Sequence, residues 1–349
     1  MNFSDWAVVG FKDDTGIGRM TRDIQEVLGV GRHIVPISER LDGYPVESNR
    51  ELLLKDNTEL STVKSFMQGL DGIICIERLH WHEHLVPAAK AMGLKTVCVP
   101  MWEWFRGTDP DWKDSDLFVC PNQKAVEILH SYGFQNVIHA PWPLDIDSLP
   151  HREVRGMAKT FFHNAGLIDH DDRKGTSLVI KAFSKVKDPS VRLILRIQKE
   201  AIIETSDPRI DLRIGNLDKP KDLYQEGDVA IQPSLMEGLG FMVLEPVCCG
   251  IPVISTDAPP MHEYIRHPEM LARPSFFKKR SFAYRAASIP HAFLTPPKVS
   301  SIAKRIEWCC RNDIEPISKA NRTWALSRHS KENISSLWQK SLTQFFFNN

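Results

Sequence analysis

Between Pro233 and Thr256 the chain reads PSLMEGLGFMVLEPVCCGIPVIST, and few folds accommodate that order of residues. Val229-Ala230-Ile231 ahead of it is an apolar, strand-like run. Gly238-Leu239-Gly240 then lets the chain turn sharply. A short apolar segment carrying Glu245 runs to Gly250, and Pro252 to Thr256 reads as a new strand. Strand, glycine turn, short helix, strand is a βαβ unit. Two carboxylates are built into it. Glu237 sits at the C-terminal end of the first strand and Glu245 lies inside the helix, with seven residues between them. Open parallel sheets bind ligands along that edge.

The physics of the unit favours a phosphorylated ligand. Free N–H groups at the helix start, near Gly240 to Val243, face outward and carry the positive end of the helix dipole. A carboxylate only accepts hydrogen bonds, so Glu237 and Glu245 suit hydroxyl groups. Phosphate on amides with hydroxyls on glutamates is the chemistry of a nucleotide sugar. The plainer alternative is an ordinary βαβ corner with two solvated glutamates.

Pro-Ser-x-x-Glu-Gly-x-Gly, then Glu, then Gly-x-Pro-Val-Ile, resembles the E-x7-E signature of family 4 retaining glycosyltransferases. The resemblance implies an α/β protein of the GT-B fold: two Rossmann-like domains facing across a cleft, with a C-terminal helix returning to the N-terminal domain. It implies that Glu245 binds the ribose hydroxyls of the donor nucleotide. Glu237 would face the transferred sugar and its reacting centre, and Gly238, Leu239 and Gly240 would border the donor. Family members usually have small residues before the helix-ending glycine; Cys248 and Cys249 stand there in this chain.

A second motif lies upstream. Phe162-His163-Asn164-Ala165-Gly166 leads through a polar loop to Arg173-Lys174-Gly175-Thr176 and an amphipathic segment. In the family the equivalent stretch carries an Arg and a Lys onto the diphosphate. Arg grips phosphate as a fork and Lys acts as a compact charge. Arg173 and Lys174 fit that role, with a solvated helix N-terminus over Lys174 to Val186 as the alternative. This chain departs from the family at Ala165-Gly166-Leu167, where many members have Gly-Arg.

Alternating strand and helix patterns run through the whole chain. Strands are expected at Trp6–Phe11, 33–37, 72–76, 95–99, 117–120, 136–139, 160–164, 191–197 and 210–214. Helices are expected at 20–28, 82–92, 123–132, 174–186, 221–225 and 330–346. Trp142-Pro143-Leu144-Asp145 interrupts the pattern. In the family the interdomain linker follows a strand of this kind, so the resemblance implies that residues 1–150 with 328–349 form an acceptor-side domain and 151–327 a nucleotide-sugar-binding domain.

The first half holds weaker candidates. Gly16-Ile17-Gly18 forms a turn after the first strand, bordering donor phosphates by the resemblance, but it lacks the third glycine of a dinucleotide fingerprint. In Glu77-Arg78-Leu79-His80-Trp81-His82-Glu83-His84 the alternating histidines do not match the His-Glu-x-x-His zinc pattern. His82 is kept as a possible sugar or acceptor contact, and no metal is expected. Trp102-Glu103-Trp104 follows a strand after which family members place a catalytic His or Asp. Glu103 is the acidic candidate there, and Trp102 and Trp104 offer planes for sugar faces. Phe276 to Arg285 is basic and aromatic, a surface loop or a base-stacking segment.

Charge is balanced overall, with 44 basic and 44 acidic residues, but not by halves. Residues 1–150 hold 14 Lys and Arg against 22 Asp and Glu, a net of −8, so the remainder carries +8. A basic second half fits diphosphate binding, and an acidic first half is a poor partner for nucleic acid. No segment reads as a signal peptide or membrane span. Seven cysteines without a C-x-x-C pair read as buried thiols in a reducing, cytoplasmic setting. The activity the resemblance implies is a retaining, hexosyltransferase-type transfer from a nucleotide sugar to an acceptor hydroxyl, without cofactor or divalent metal. The acceptor is open: a glycan, a small molecule or, on an acidic first half less favourably, a hydroxylated DNA base. A nucleotide-sugar epimerase, a phosphorylase and a non-catalytic binding module remain as alternatives on the same scaffold.

Overall fold

The computed structural model describes residues 2–13, 15–37, 49–168, 171–200, 203, 205–275, 280–281 and 289–347. The basic, aromatic segment 276–285 lies outside them apart from Arg280 and Ser281. By its contacts the chain divides into two units, Met1–Leu144 with His329–Asn349, and Asp145–Arg328.

The first unit is built on seven parallel strands: β1 (Trp6–Val9), β2 (Arg32–Pro36), β3 (Glu51–Leu54), β4 (Gly72–Glu77), β5 (Lys95–Pro100), β6 (Leu117–Cys120) and β7 (Val137–His139). Their order in the sheet is β3-β2-β1-β4-β5-β6-β7. Every residue of β1, β4 and β6 is buried. That is why they read as continuous apolar runs and not as alternating ones: helices cover both faces of a parallel sheet. Helix α1 (Gly16–Leu28) starts on Thr15, whose side chain accepts from the Gly18 amide, and buries Met20, Ile24, Val27 and Leu28 at helical spacing. Helices α2 (Leu60–Met67), α3 (Leu85–Ala91) and α4 (Gln123–Ser131) complete the crossovers.

The second unit holds β8 (Thr160–Gly166), β9 (Arg192–Ile197), β10 (Ile210–Ile214), β11 (Val229–Gln232), β12 (Val253–Thr256) and β13 (Leu271–Ala272) in the order β10-β9-β8-β11-β12-β13. Its helices are α5 (Thr176–Phe183), α6 (Phe241–Cys248), α7 (Val299–Cys309) and α8 (Glu315–His329), the last ending at the boundary. Edge strand β10 is mostly solvent-facing and carries Asp211 and Arg213, charges that discourage pairing with another edge.

After α8 the chain returns to the first unit as α9 (Lys331–Phe347). Trp338 is fully buried there. Its indole donates to the Pro141 carbonyl at 3.1 Å and meets the Trp142 ring edge-on at 5.8 Å. Trp142 in turn donates to Asp23 on α1 at 2.9 Å.

Several expectations need correction. Strands β3 and β13 and helices α2, α7 and α8 were not anticipated; β3 is a short edge strand with a half-exposed pattern that leaves a weak periodic signal. The helix expected from His82 begins at Leu85, because His82 accepts the His84 amide in a preceding turn. The helix expected from Lys174 begins at Thr176. Gly175 stands before it at φ 75°, and the Asp172 carboxylate accepts the Thr176 and Ser177 amides at 2.8 and 3.0 Å. Arg173 and Lys174 are thus loop residues ahead of the helix.

If α9 anchors the first unit as its contacts indicate, Trp338→Ala costs about 3–5 kcal/mol of stability. Denaturant unfolding followed by the fluorescence of the remaining tryptophans checks this; a change within about 0.5 kcal/mol contradicts it.

Candidate functional site

In the second unit the chain leaves β8 towards β9 and leaves β11 towards β12, in opposite directions along the sheet. Right-handed crossovers then put α5 and α6 on opposite faces. A crevice opens where the order reverses, at the carboxyl ends of β8 and β11. The loop after β8 carries Arg173 and Lys174; the loop after β11 carries Glu237 and Gly238-Leu239-Gly240.

These two loops are fastened to each other. The Leu235 amide donates to the Arg173 carbonyl at 2.8 Å. A Cβ added to Gly175 would lie 2.7 Å from the Pro233 carbonyl oxygen, so only glycine allows the approach. His163 joins them from below. It is fully buried, with Nδ1 2.6 Å from the Ile231 carbonyl of β11 and Nε2 3.0 Å from the Thr176 hydroxyl at the start of α5. A ring nitrogen facing a carbonyl must donate, so the neutral tautomer carries its proton on Nδ1. Burial pushes the imidazole down to about 4, which keeps it neutral.

Glu237 and Lys174 meet across the crevice, Nζ to Oε1 at 2.6 Å. Glu237 is only 5 % exposed. Burial alone would raise its carboxyl, but the charges of Lys174 and Arg173 outweigh that and hold it below the ordinary 4.5. The ion pair therefore persists at neutral pH.

Both helices are led by a glycine. Asp172 occupies amides at the start of α5. Helix α6 begins from Gly240, at φ 89°, which has no side chain of its own to cap it. The start of α6 is the positive end of its dipole, a field that suits an anion. Further along α6, Glu245 is buried and accepts a hydrogen bond from the Tyr224 hydroxyl. Leu167, in the stretch where the resemblance led to an expected arginine, is 55 % exposed.

The first-unit candidates lie at a helix start and in loops of that unit, and the glycine turn expected ahead of a helix from Met20 is itself the start of α1. Gly16 and Gly18 fall in the first turn of α1; a Cβ on Gly18 would strike the Asp13 carbonyl. Glu103 is buried after β5, Trp102 is buried beneath Lys124, and Trp104 is 42 % exposed. His82 faces the Asp56 carbonyl at 3.3 Å. Glu77 closes β4 in the left-handed region at φ 73°, an unusual conformation for a non-glycine residue and one that marks a constrained position. Among the described residues no three His, Cys, Asp or Glu side chains group as metal ligands.

Residues 159–286 match the model of the family described as glycosyl transferases group 1. No curated protein matches the chain by sequence. Among solved structures, Anabaena HepE in complex with UDP and glucose matches at TM-score 0.71 and 14 % identity, covering 97 % of this chain and 99 % of that one. A glycosyltransferase from Rickettsia africae matches at 0.68 and 12 %, covering 99 % of both. Sucrose-phosphate synthase from Thermosynechococcus elongatus matches at 0.66 and 12 %, also covering 99 % of both. The fold is GT-B. Its two Rossmann-like sheets are the two units described above, and the family match falls within the second.

Sequence reasoning singled out Glu237, Glu245, Arg173 and Lys174, of which the structure brings Lys174 onto Glu237, and it passed over Asp172 and Tyr224. Asp172 belongs to a short acidic run with nothing to mark it as a cap. Tyr224 stands 21 residues before Glu245, and no local pattern connects them.

His163 generates a pH prediction. Its pKa in the unfolded chain is near 6.5 and in the folded one about 4, so the unfolded state binds more protons between them. Stability present above pH 6.5 is lost as pH falls towards 4, by roughly 3 kcal/mol. Glu237 adds little slope above pH 4.5, where its depressed carboxyl keeps its contribution, and loses that contribution only as pH falls further. Denaturant unfolding at pH 7 and pH 4.5 measures the loss. A His163→Gln variant flattens the profile; an unchanged slope contradicts the assignment.

Proposed function

We propose that this chain is a retaining, family 4-like glycosyltransferase that transfers a hexose from a nucleoside-diphosphate sugar to an acceptor hydroxyl. The observation that carries the reading is the buried Lys174–Glu237 pair beside the glycine-led start of α6. The family match over 159–286 and the UDP in the structure of HepE support the donor class.

In the proposed reaction the diphosphate sits against the α6 amides with Arg173 and Lys174. The bond from the anomeric carbon to the phosphate oxygen breaks, and the leaving group takes the electron pair. The cations and the helix end neutralise that growing charge, which is the main catalytic demand. The acceptor oxygen bonds to the anomeric carbon on the face the phosphate leaves, and its proton passes to the departing phosphate. Glu237 orients the sugar hydroxyls and Glu245 the ribose diol, so binding supplies the alignment. Positive charge comes from side chains and helix, so the scheme needs no divalent ion. Glu103, Trp102, Trp104, His82, Gly16 and Gly18 are assigned to the acceptor side and donor border. All seven cysteines are unpaired and buried, which supports a reducing cytoplasmic setting. No helix among the described residues is long and apolar enough to cross a membrane.

A thermal-shift screen against UDP-, GDP-, ADP- and CMP-sugars tests this. A donor at about 100 times its Kd stabilises the native state by about 2.7 kcal/mol, a shift of a few degrees. Glu237→Gln should lower kcat about 100-fold with the matching donor. A flat screen, or a variant that turns over like the parent, contradicts the reading.

A further inference from the structure

Tyr224 is the last residue of a short 3-10 helix, Pro220–Tyr224, and is 2 % exposed. Its hydroxyl donates to Glu245 Oε2 in the middle of α6. A phenol turned inward onto a carboxylate 21 residues away needs something to hold the two segments in register.

Arg152 does so. Its guanidinium donates to the Tyr224 carbonyl at 2.8 Å and to the Gly227 carbonyl at 3.1 Å, gripping the turn from which the ring projects. Its own amide donates to the Cys249 carbonyl at 2.7 Å, at the end of α6. A Cβ on Gly250 would lie 2.7 Å from the Arg152 carbonyl, so helix end and clamp are in close contact. The Arg152 carbonyl accepts from Ser318 Oγ at 3.3 Å, which ties the clamp to α8. One residue thus fixes both the donor of the hydrogen bond and the helix that carries its acceptor.

We propose that Tyr224 is a positioning residue for recognition of the nucleotide's ribose, with Arg152 as its clamp. The phenol holds the Glu245 carboxylate in one orientation before the ligand arrives. A carboxylate offers about four lone-pair sites, so an oxygen held by a phenol leaves capacity for a cis-diol. A glutamate loses rotamer freedom when it is ordered, and ordering it in advance removes that cost from binding. The ligand class is a nucleoside diphosphate with intact 2′- and 3′-hydroxyls. The inference rests on the reading of this unit as the donor site.

The test is calorimetric titration of the full chain with UDP, GDP, ADP and CDP, then with the 2′-deoxy and 3′-deoxy forms of the tightest binder. The parent should prefer the ribonucleotide by about tenfold or more. Tyr224→Phe should weaken the ribonucleotide about tenfold and leave the deoxy forms within about twofold, erasing the preference. Added to Glu245→Gln, Tyr224→Phe should change nothing further. Should Tyr224→Phe not fold, Arg152→Lys is the second variant: it lacks the fork and should lose the same preference. A variant that keeps the parent's preference, or weakens both forms equally, overturns the positioning role while leaving the donor site standing. Failure of the parent to bind any of the four diphosphates overturns both.

Discussion

The reversal of strand order between β8 and β11 is the constraint on which the rest depends. Two parallel strands side by side, each feeding a crossover in the opposite direction, cannot have their loops closed over by one helix. The carboxyl ends of those strands are left open, and side chains from two distant stretches of sequence converge there. Lys174 and Glu237 are 63 residues apart and touch for this reason. The same reversal occurs in the first unit between β1 and β4, which are followed by the start of α1 with Gly16-Ile17-Gly18 and by the Glu77–His84 cluster.

Electrostatics then shapes the second-unit crevice. Asp172 neutralises the start of α5 and, in doing so, keeps Arg173 and Lys174 out of the helix, where they would oppose its dipole. The start of α6 follows Gly240, and two cations lie in the facing loop. In the resting protein Lys174 is held by Glu237, whose carboxyl stays charged because those cations outweigh its burial. In the proposed reaction an incoming diphosphate enters a site whose positive charge is already in place. Preorganisation of that kind, more than any single contact, distinguishes a catalytic cleft from an ordinary anion site.

Much of this was legible in sequence because it is local. The motif from Pro233 to Thr256 encodes its turn with glycines, its helix end with Gly250 and its strands with β-branched apolar runs, and β11, α6 and β12 follow it closely. Strands β4, β5, β6 and β10 were equally plain, being uninterrupted apolar runs or short segments between turn residues. What sequence could not supply was lateral. Strand order is set by crossover direction, which no motif records. The start of α5 depended on Asp172 reaching forward to the Thr176 amide, and Tyr224 reached Glu245 only through the clamp of Arg152. Edge strand β3 was missed because a short, half-exposed edge carries little periodic signal.

The most direct test of the central claim is a crystal structure of the protein with a bound nucleoside diphosphate. The account predicts the diphosphate at the start of α6, with Lys174 Nζ within hydrogen-bond distance of a phosphate oxygen and the ribose diol on Glu245. A diphosphate bound away from α6, or on α6 with Lys174 still turned wholly to Glu237, would contradict it.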